Sequence, residues 1–521
     1  MRNGPPRSWS STDAFIYSFF SINLVTLGLY IISQAYAFRG GIIPALLVSG
    51  ALLLTEAFVY AGLIAAMPRA GGDYLWQSRI LGDGLGFVLA LTGWCFILWL
   101  WTPLYADMLR HIVFVPLAAV LGWTDLALLI ASRPMALFAS CVLVCAFVLV
   151  VIAKGMRVYA RVQRFCFWAG NAGLLVVIAL LLAGNKETFR AGFDAGAARL
   201  FGAASSYAAI ERAGAAAEAG VPMWGGRPGD VFRLMPLLAF FNLWPNCGAS
   251  LYGEVNGSGD VRKNFLGMAS ALALTTGLAI VLLLAIDKGI GWDFYTKANA
   301  SYWSFRRGNV QGAPAMPLWP YPALLALMPI ASTPLRVAVI LAMAAWFFGW
   351  AGTMYLSSTR FLLSAAIDGL LPSGLAKLDH RTGTPFNALL FMVVPGLAVS
   401  ALFSFDVWSF GSLTFVSTIV IAVTFLGTGV AAVLLPYTRK ALYEASPLVR
   451  LKIGRVPLIS AVGLLFCAFL GYLLYEWLVD PRDLYGVSYR NVSSLAFMGM
   501  LYLLAAGIYL FMKRRLRAPR P

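Results

Sequence analysis

Three apolar stretches of the sequence contain residue types that interrupt helices and could leave polar groups free for binding. The interrupting residues are Asn23, Thr26 and Gly28 in the first stretch, Asn242, Pro245, Asn246 and Gly248 in the second, and Gly349, Gly352 and Thr353 in the third. Freed backbone groups at membrane depth are tolerated only beside protein or a water-filled cavity. Exposed amides attract anions and exposed carbonyls attract cations. The pattern predicts a mid-membrane solute site, although glycine and proline also serve as packing points and kinks.

One ionisable residue, Glu56, lies deep in another apolar stretch. A charged group in the membrane interior is costly, so such a residue is a functional candidate by default. Glu56 is either a proton-binding carboxylate or a carboxyl group that a neighbouring helix satisfies. Asp107 and Arg110 are three residues apart and can pair on one helix, either as an interfacial ion pair or as part of an outer gate.

The composition indicates which elements must position these residues. Hydrophobic residues make up 60% of the 521 residues and charged residues only 12%, against about 25% charged in globular proteins. We predict one all-α polytopic membrane domain over residues 1–521. Its twelve transmembrane helices are predicted at 13–37, 43–67, 83–120, 134–153, 162–183, 230–252, 265–287, 334–364, 385–403, 409–435, 457–478 and 492–512. The polar insert 184–229 is too short for a stable core of its own and is predicted to be an outer lid or partly disordered.

The distribution of lysine and arginine predicts the orientation of these helices. An even number of helices places both termini on one side. The segments on that side carry basic clusters such as Lys154, Arg157, Arg161 and Arg164, whereas the short connections on the other side hold few basic residues. Positive residues in short loops favour the cytoplasmic side, and long loops are discounted. We therefore predict a multi-pass plasma-membrane protein with cytoplasmic termini, whose basic clusters contact anionic membrane lipids.

Other classes of function lack the residues that they need. Cys141 and Cys145 share a helix face, but neither His111 nor His380 is placed to complete a metal site with them. We predict no metal, no cofactor and no enzymatic activity, because no catalytic carboxylates, histidines or nucleophile converge. The basic clusters account for the net charge of +17 without nucleic acid as a partner. A channel would need a continuous polar stripe, whereas these polar residues cluster at mid-depth.

Two longer motifs resemble a known family. The sequence reads MPRAGGDYLWQSR at 67–79 and RFLLSAAIDGLLPSGLAKLDHRTGTP at 360–385. These motifs are similar to the segments after helix 2 and helix 8 in the amino acid-polyamine-organocation superfamily of permeases, and the helix spacing agrees over essentially the whole chain. The resemblance implies a LeuT-like five-plus-five inverted repeat, with repeats at 13–183 and 230–435 and two accessory helices at 457–512. It also implies a substrate held between broken helices 1 and 6.

The family's site residues transfer only in part. The helix 1 pattern falls on the run from Thr26 to Tyr30 and keeps one of its two glycines, while the helix 6 pattern falls on the run from Trp244 to Asn246 and lacks its acidic residue. With the interrupting residues, this predicts solute binding at Asn23, Thr26, Leu27, Gly28, Leu29, Asn242, Trp244, Pro245 and Asn246. Glu56 is a possible proton site. Sodium could instead bind helix 1 carbonyls with Thr353 or Ser357, although such hydroxyls commonly bond to the backbone.

Together these features predict a secondary active transporter, an amino acid permease that moves an amino acid or a related small amine or zwitterion by alternating access. The missing acidic residue of helix 6 argues against assuming a cationic substrate. A proton or a sodium ion is a possible coupling ion. Two alternatives stay open: a transporter-like sensor that binds solute without moving it, and a facilitative exchanger without ion coupling.

Overall fold

A computed structural model describes residues 8–201, 206–308, 315–407, 417–479 and 488–517. The α-helices are Ser11–Ile22, Leu29–Ile32, Ile42–Ala66, Asp73–Ile80, Asp83–Leu91, Ile97–Leu109, Val115–Val120, Thr124–Ser132, Pro134–Ala153, Met156–Ala183, Lys186–Phe201, Tyr207–Ala216, Pro228–Asn242, Val261–Gly289, Trp292–Arg306, Pro322–Ala326, Thr333–Trp350, Thr353–Ile367, Phe386–Ser404, Ser417–Thr438, Lys440–Glu444, Leu458–Val479 and Val492–Arg517. The 3₁₀ helices are Ala35–Ala37, Cys247–Glu254, Ser373–Ala376 and Pro447–Arg450, and the π turns are Leu24–Gly28, Thr92–Phe96 and Arg110–Phe114. Two short strands, Lys452–Ile453 and Val456–Pro457, pair antiparallel.

Eleven of the described segments are long and apolar enough to cross a membrane. They are span 1 (Ser11–Ile32), span 2 (Ile42–Ala66), span 3 (Asp83–Val120), span 4 (Pro134–Ala153), span 5 (Met156–Ala183), span 7 (Val261–Gly289), span 8 (Thr333–Ile367), span 9 (Phe386–Ser404), span 10 (Ile419–Thr438), span 11 (Leu458–Val479) and span 12 (Val492–Leu516). Span 6 is a broken segment formed by Pro228–Asn242 and Cys247–Glu254. The chain is therefore an all-α, multi-pass membrane protein, and its described residues include eleven candidate spans and the broken segment at predicted helix 6.

Local sequence signals fix where the first spans begin. The Ser10 hydroxyl accepts a hydrogen bond from the Asp13 amide, and the Asp13 carboxylate accepts one from the Ser10 amide at 2.9 Å. This reciprocal capping satisfies two amides at the start of span 1.

Gly155 joins spans 4 and 5 with a φ of 89°, a left-handed conformation that glycine adopts without steric cost. The chain therefore reverses direction between two long apolar helices.

The spans differ greatly in how much of their surface other helices cover. In the most apolar part of span 1, 94% of the residues are buried, compared with 22% in span 12. Spans 3 and 8 are also largely buried, at 78% and 72%. Lipid can therefore reach the outer spans, while span 1 occupies the centre of the bundle, where a solute site would be shielded from lipid.

The connections lie at two ends of the bundle. We call the end that holds the start of span 1 the N-terminal face and the other end the opposite face. The predicted lid or disordered insert 184–229 lies at the opposite face and contains the helices Lys186–Phe201 and Tyr207–Ala216. The Tyr207 ring stacks on Phe294 at 4.1 Å between ring centres, so the insert packs onto the helix that follows span 7.

Two predicted features of the organisation extend beyond the described residues or have no direct counterpart in them. The start of predicted helix 10, at 409–416, lies outside the described residues, and the rest of that helix is present as Ser417–Thr438. The division into repeats at 13–183 and 230–435, with accessory helices at 457–512, stays a prediction.

Candidate functional site

Span 1 loses regular α-helical bonding at Asn23. Its first helix ends at Ile22, and Asn23 has a left-handed backbone conformation with a φ of 47°. The Asn23 side chain accepts a hydrogen bond from the Thr26 amide at 2.8 Å and donates one to the Trp346 carbonyl at 3.0 Å. The π turn Leu24–Gly28 follows before the helix resumes. The predicted interruption is therefore present, and the Asn23 side chain holds it against span 8.

Span 6 breaks more completely than span 1. Its helix ends at Asn242, and the chain continues as 3₁₀ helix only from Cys247. Pro245, inside the break, has no amide hydrogen and cannot continue helical bonding. The Pro245 carbonyl oxygen instead accepts a hydrogen bond from the Ser18 hydroxyl at 2.9 Å. The break is therefore joined directly to span 1.

The two broken spans pack closely beside each other. A Cβ atom added to Gly28 would lie 3.1 Å from the Phe241 ring and 3.4 Å from the Asn23 carbonyl oxygen. These distances are tighter than ordinary van der Waals contact, so the absence of a side chain at Gly28 permits this approach. The predicted residues Leu27 and Leu29 flank this contact and are buried.

Some predicted binding residues have their polar side chains fully used by the protein. Asn242 donates to the Ser49 hydroxyl at 3.1 Å, which joins span 6 to span 2. The Trp244 indole donates to the Phe240 carbonyl at 2.7 Å. These side chains, like that of Asn23, stabilise the interrupted backbone.

Thr26 and Asn246 differ from these residues. The Thr26 hydroxyl and both polar atoms of the Asn246 side chain are buried and have no hydrogen-bond partner within the described part of the chain. A buried polar group without a partner costs about 1–3 kcal/mol. One polar side chain at each break is therefore available to a ligand.

Residues at the interruption in span 8 form hydrogen bonds with both broken spans. Ser357, in span 8, donates its hydroxyl hydrogen to the Cys247 carbonyl at 2.6 Å, and the Thr353 hydroxyl donates to a carbonyl one turn earlier at 2.9 Å. The Tyr17 hydroxyl of span 1 bonds to the Thr353 carbonyl and to the Ser357 hydroxyl. Both hydroxyls predicted for ion coupling therefore bond to the backbone, and a sodium site formed with them stays a prediction.

Aromatic side chains surround the breaks. Trp244 packs edge-on against Trp101 of span 3, with ring centres 5.0 Å apart, and against Phe425 of span 10 at 6.0 Å. Tyr105 of span 3 stacks on Trp350 of span 8 at 3.9 Å. We call these five residues the aromatic wall. Its surface would favour an apolar group and exclude water from the breaks.

A cavity of about 220 Å³ lies between the breaks and the opposite face. Leu27, Trp101 and Phe240 line it near the breaks, and Asp107 and Arg306 line its polar end. Its volume suits a small organic molecule, and its lining changes from apolar to charged along its length. The cavity therefore forms a route toward the breaks from the opposite face.

Asp107, at the polar end of this cavity, pairs with Arg110 as the sequence spacing allows. The two side chains form an ion pair and are almost completely buried. Arg306, from the helix Trp292–Arg306, also approaches the Asp107 carboxylate at 3.6 Å. This third partner links span 3 to a connection at the opposite face, which favours the gate interpretation over an interfacial pair.

The N-terminal face is closed by a different set of contacts. Arg360 of span 8 donates two hydrogen bonds to the Glu254 carboxylate, at 2.7 and 3.1 Å, and both side chains are buried. The Trp9 indole donates to the Met156 carbonyl at 3.0 Å, and the Trp9 amide donates to the Glu254 carbonyl at 3.1 Å. These contacts cover the N-terminal side of the breaks.

Glu56, the predicted proton site, is completely buried in span 2. Neither of its carboxyl oxygens has a hydrogen-bond partner among the residues described. No described residue of a neighbouring helix hydrogen-bonds to this carboxyl group, and both interpretations of Glu56 stay predictions. A buried and unpartnered carboxyl group retains a functional interpretation.

Some residues around the breaks were not predicted from the sequence. Ser18 and Tyr17 bond to spans 6 and 8, yet serine and tyrosine are common in membrane helices and gave no distinguishing signal. Asp73 is buried beside span 10, where its carboxylate accepts a hydrogen bond from the Thr428 hydroxyl. The signal available in the sequence was a charged residue within the motif at 67–79. Asp73 lies outside the predicted spans, so it was not considered as a membrane-embedded carboxyl group.

The chain matches a known protein family and a solved structure over most of its length. The family model described as "Amino acid permease" matches residues 13–504. Among solved structures, the chain is similar to MhsT in complex with L-phenylalanine, with a TM-score of 0.58 and 12% identity, covering 91% of this chain and 99% of that one. No curated protein matches the chain significantly. The structural similarity supports the LeuT-like fold expected from the sequence.

Proposed function

Because the chain belongs to the amino acid permease family, whose members are transporters, we propose that it moves an amino acid with an uncharged, apolar side chain by alternating access. The observation that carries this proposal is that Thr26 and Asn246, one at each of two broken spans that pack together, have buried polar side-chain atoms without a hydrogen-bond partner among the described residues. A zwitterion supplies both the acceptor and the donors that such a site lacks.

The broken backbone supports the proposed mode of binding. The solute carboxylate binds amides of the π turn Leu24–Gly28, since interrupted helices present such amides to anions. The solute ammonium group binds the Asn246 side-chain oxygen and carbonyls of the span 6 break. Thr26 donates its hydroxyl hydrogen to the carboxylate. In this arrangement both charged groups of the solute gain partners within the membrane interior.

The surrounding residues support an apolar solute side chain. The aromatic wall and the cavity beside Leu27 are mostly apolar. The position where the family has an acidic residue in span 6 is Asn246, so no fixed negative charge there would balance a cationic side chain. MhsT, which shares the fold, is described in complex with L-phenylalanine, an apolar amino acid.

The two closures support the alternating-access mechanism. The Asp107–Arg306 contact separates to admit solute from the opposite face, and the Trp9 and Glu254–Arg360 contacts separate to release it at the N-terminal face. We propose that the termini are cytoplasmic and that the protein lies in the cell membrane, in accordance with its basic clusters. Solute then enters the cell when the Asp107 side opens first.

Transport by the purified protein in liposomes tests this proposal. Vesicles loaded with an unlabelled amino acid should accumulate the same labelled amino acid by counterflow, which needs a carrier but no coupling ion. The panel contains phenylalanine, leucine, alanine, lysine and glutamate, and the apolar members should give the strongest counterflow. If panel members bind but none of them gives counterflow, the result would support the sensor alternative and contradict the proposal.

A matched pair of variants locates the site. Asn246→Ala should raise the KM for phenylalanine by about tenfold, because it removes a buried hydrogen bond worth about 1.4 kcal/mol. Asn387→Ala is the control, since Asn387 is exposed in span 9 and bonds to a surface carbonyl. An equal KM in the two variants would place the solute elsewhere.

A further inference from the structure

A buried polar cluster lies on the N-terminal side of the span 6 break, apart from the proposed solute contacts. Ser49, Glu56 and Tyr60 are spaced seven and four residues apart, so they share one face of span 2. Ser49 on that face bonds to Asn242 of span 6, and the Tyr60 hydroxyl lies close to the Asn246 side chain. Glu56, between them, therefore faces the break.

A second carboxyl group, Asp73, completes this cluster. Asp73 begins the helix Asp73–Ile80 at the N-terminal face and is 2% exposed. Its carboxylate accepts hydrogen bonds from the Tyr60 and Thr428 hydroxyls and from the Trp94 indole, the last at 3.0 Å. Three donors from spans 2, 3 and 10 stabilise a negative charge on Asp73. Burial raises the pKa of Asp73, and these donated bonds oppose that effect.

Glu56 has the opposite environment. It accepts no hydrogen bond in the described structure, and the nearby Tyr60 ring packs against Trp76 and Phe425. The titratable groups that interact electrostatically with Glu56 are Asp73 and Tyr60. A second negative charge next to Asp73, without donors and away from water, would be strongly unfavourable. In this closed conformation the pair therefore holds one proton, on Glu56.

We propose that Glu56 is the proton-binding site that couples transport to a proton gradient, with Asp73 as the fixed negative charge that favours proton binding there. This inference rests on the proposed function, because it assigns the driving ion of that same transporter. Opening the N-terminal face admits water, and the Glu56 carboxylic acid transfers its proton to a water molecule, leaving a carboxylate and a hydronium ion. Solute and proton then leave together, since the opening that releases the solute from the span 6 break also exposes Glu56 to water.

Proteoliposome transport of phenylalanine tests the proposal. An imposed pH gradient, acid outside, should drive accumulation several-fold above equilibrium in the wild type. Glu56→Gln mimics the protonated acid, so it should keep counterflow within about twofold yet show no gradient-driven accumulation. Glu187→Gln, on an exposed helix at the opposite face, is the control and should behave as the wild type. Asp73→Asn should shift the pH dependence of transport to lower pH.

A second measurement on the wild type does not depend on the folding of any variant. At pH 8 the open conformations, in which water reaches Glu56, have lost its proton. Binding of phenylalanine to these conformations in weakly buffered detergent should take up at most about one proton per solute, read with a pH indicator dye. A binding experiment that shows no proton uptake would overturn the inference. Accumulation in proteoliposomes that is driven by a sodium gradient in place of the pH gradient would overturn it as well. Absence of counterflow in the wild type would overturn the proposed function itself, whereas counterflow without either proton signal would overturn only this inference.

Discussion

At the scale of single residues, the site depends on small or partnerless groups in places where larger or paired groups would be usual. Gly28 allows spans 1 and 6 to approach, because a Cβ there would be 3.1 Å from the Phe241 ring. Thr26 and Asn246 keep polar atoms without partners in a region where polar atoms are costly to bury. A solute that supplies the missing partners stabilises the arrangement.

Gly28→Val should abolish transport without abolishing insertion into the membrane. The added side chain crowds the Phe241 ring, where the Cβ alone would be 3.1 Å away, so spans 1 and 6 move apart and the amides of the π turn lose their geometry. Uptake of labelled phenylalanine should fall at least about tenfold at an equal amount of protein in the membrane, which corresponds to about 1.4 kcal/mol. Gly277→Val, in span 7 with open space around it, is the matched control. Unchanged uptake by the Gly28 variant would count against the site.

The buried Glu254–Arg360 pair makes a separate residue-level prediction. Arg360→Leu leaves a buried carboxylate without its partner, which should destabilise the protein by about 3–5 kcal/mol. The thermal midpoint in detergent should drop strongly, and adding Glu254→Leu should recover much of the loss. Arg164→Leu breaks a pair in which the arginine is half exposed, and the buried Asp13 carboxylate keeps its hydrogen bonds from the Ser10 amide and hydroxyl, so this change should cost less. Equal drops for Arg164→Leu and Arg360→Leu would show that burial of the Glu254 pair contributes nothing.

At the scale of elements, two helices that stop and restart near each other define the transport path. The half-helices of spans 1 and 6 are joined by the Ser18–Pro245 bond, and span 8 is joined to both through Tyr17 and Ser357. Bonds of this kind can separate and re-form as two groups of helices move. The Trp9 contacts close the N-terminal side of the breaks with the residues that precede span 1, and the Asp107–Arg306 contact lies at the polar end of the cavity on the other side.

Trp9→Ala should favour opening at the N-terminal face. The Trp9 ring packs against Tyr17 and Tyr159, and its indole bonds to Met156, so its loss removes contacts present only when this face is closed. Cys247, buried just beyond the break, should react several-fold faster with a hydrophilic maleimide, as resolved by peptide mass spectrometry. Trp123→Ala, at an exposed site near the opposite face, should leave the rate unchanged. An unchanged rate for Trp9→Ala would contradict this role.

At the scale of the whole molecule, the fold places a nearly buried span in the middle of lipid-facing ones. This separation lets the central spans carry glycine, asparagine and proline while outer spans keep the apolar surface that a bilayer requires. The loops at the opposite face pack on one another through Tyr207 and Phe294 and so form a cover over that end of the bundle.

The orientation of the whole molecule can be measured with two cysteine variants. Trp123→Cys at the opposite face should react with a membrane-impermeant maleimide in intact cells. Lys452→Cys, on the exposed strand at the N-terminal face, should react only after permeabilisation, because the basic loops there favour the cytoplasm. The reverse labelling pattern would overturn the predicted orientation and the proposed direction of solute entry.

Much of this architecture was predictable because membrane insertion imposes strong local constraints. Long apolar runs specify the spans, and breakers such as Pro245 and Gly28 mark where backbone bonding fails, since no water is present to replace a lost bond. The positions of both interruptions were therefore determined by the sequence alone.

The tertiary structure decided which polar groups remain free. Asn23, Asn242 and Asn246 look alike in the sequence, yet Asn23 and Asn242 find partners on spans 8 and 2, and Asn246 finds none within the described residues. The same holds for the carboxyl groups, because Asp73 accepts hydrogen bonds from three spans, of which span 10 is distant in sequence, while Glu56 accepts none from the described residues. Hydrogen-bond satisfaction depends on residues far apart in the chain, and only the folded packing of the helices brings those residues together.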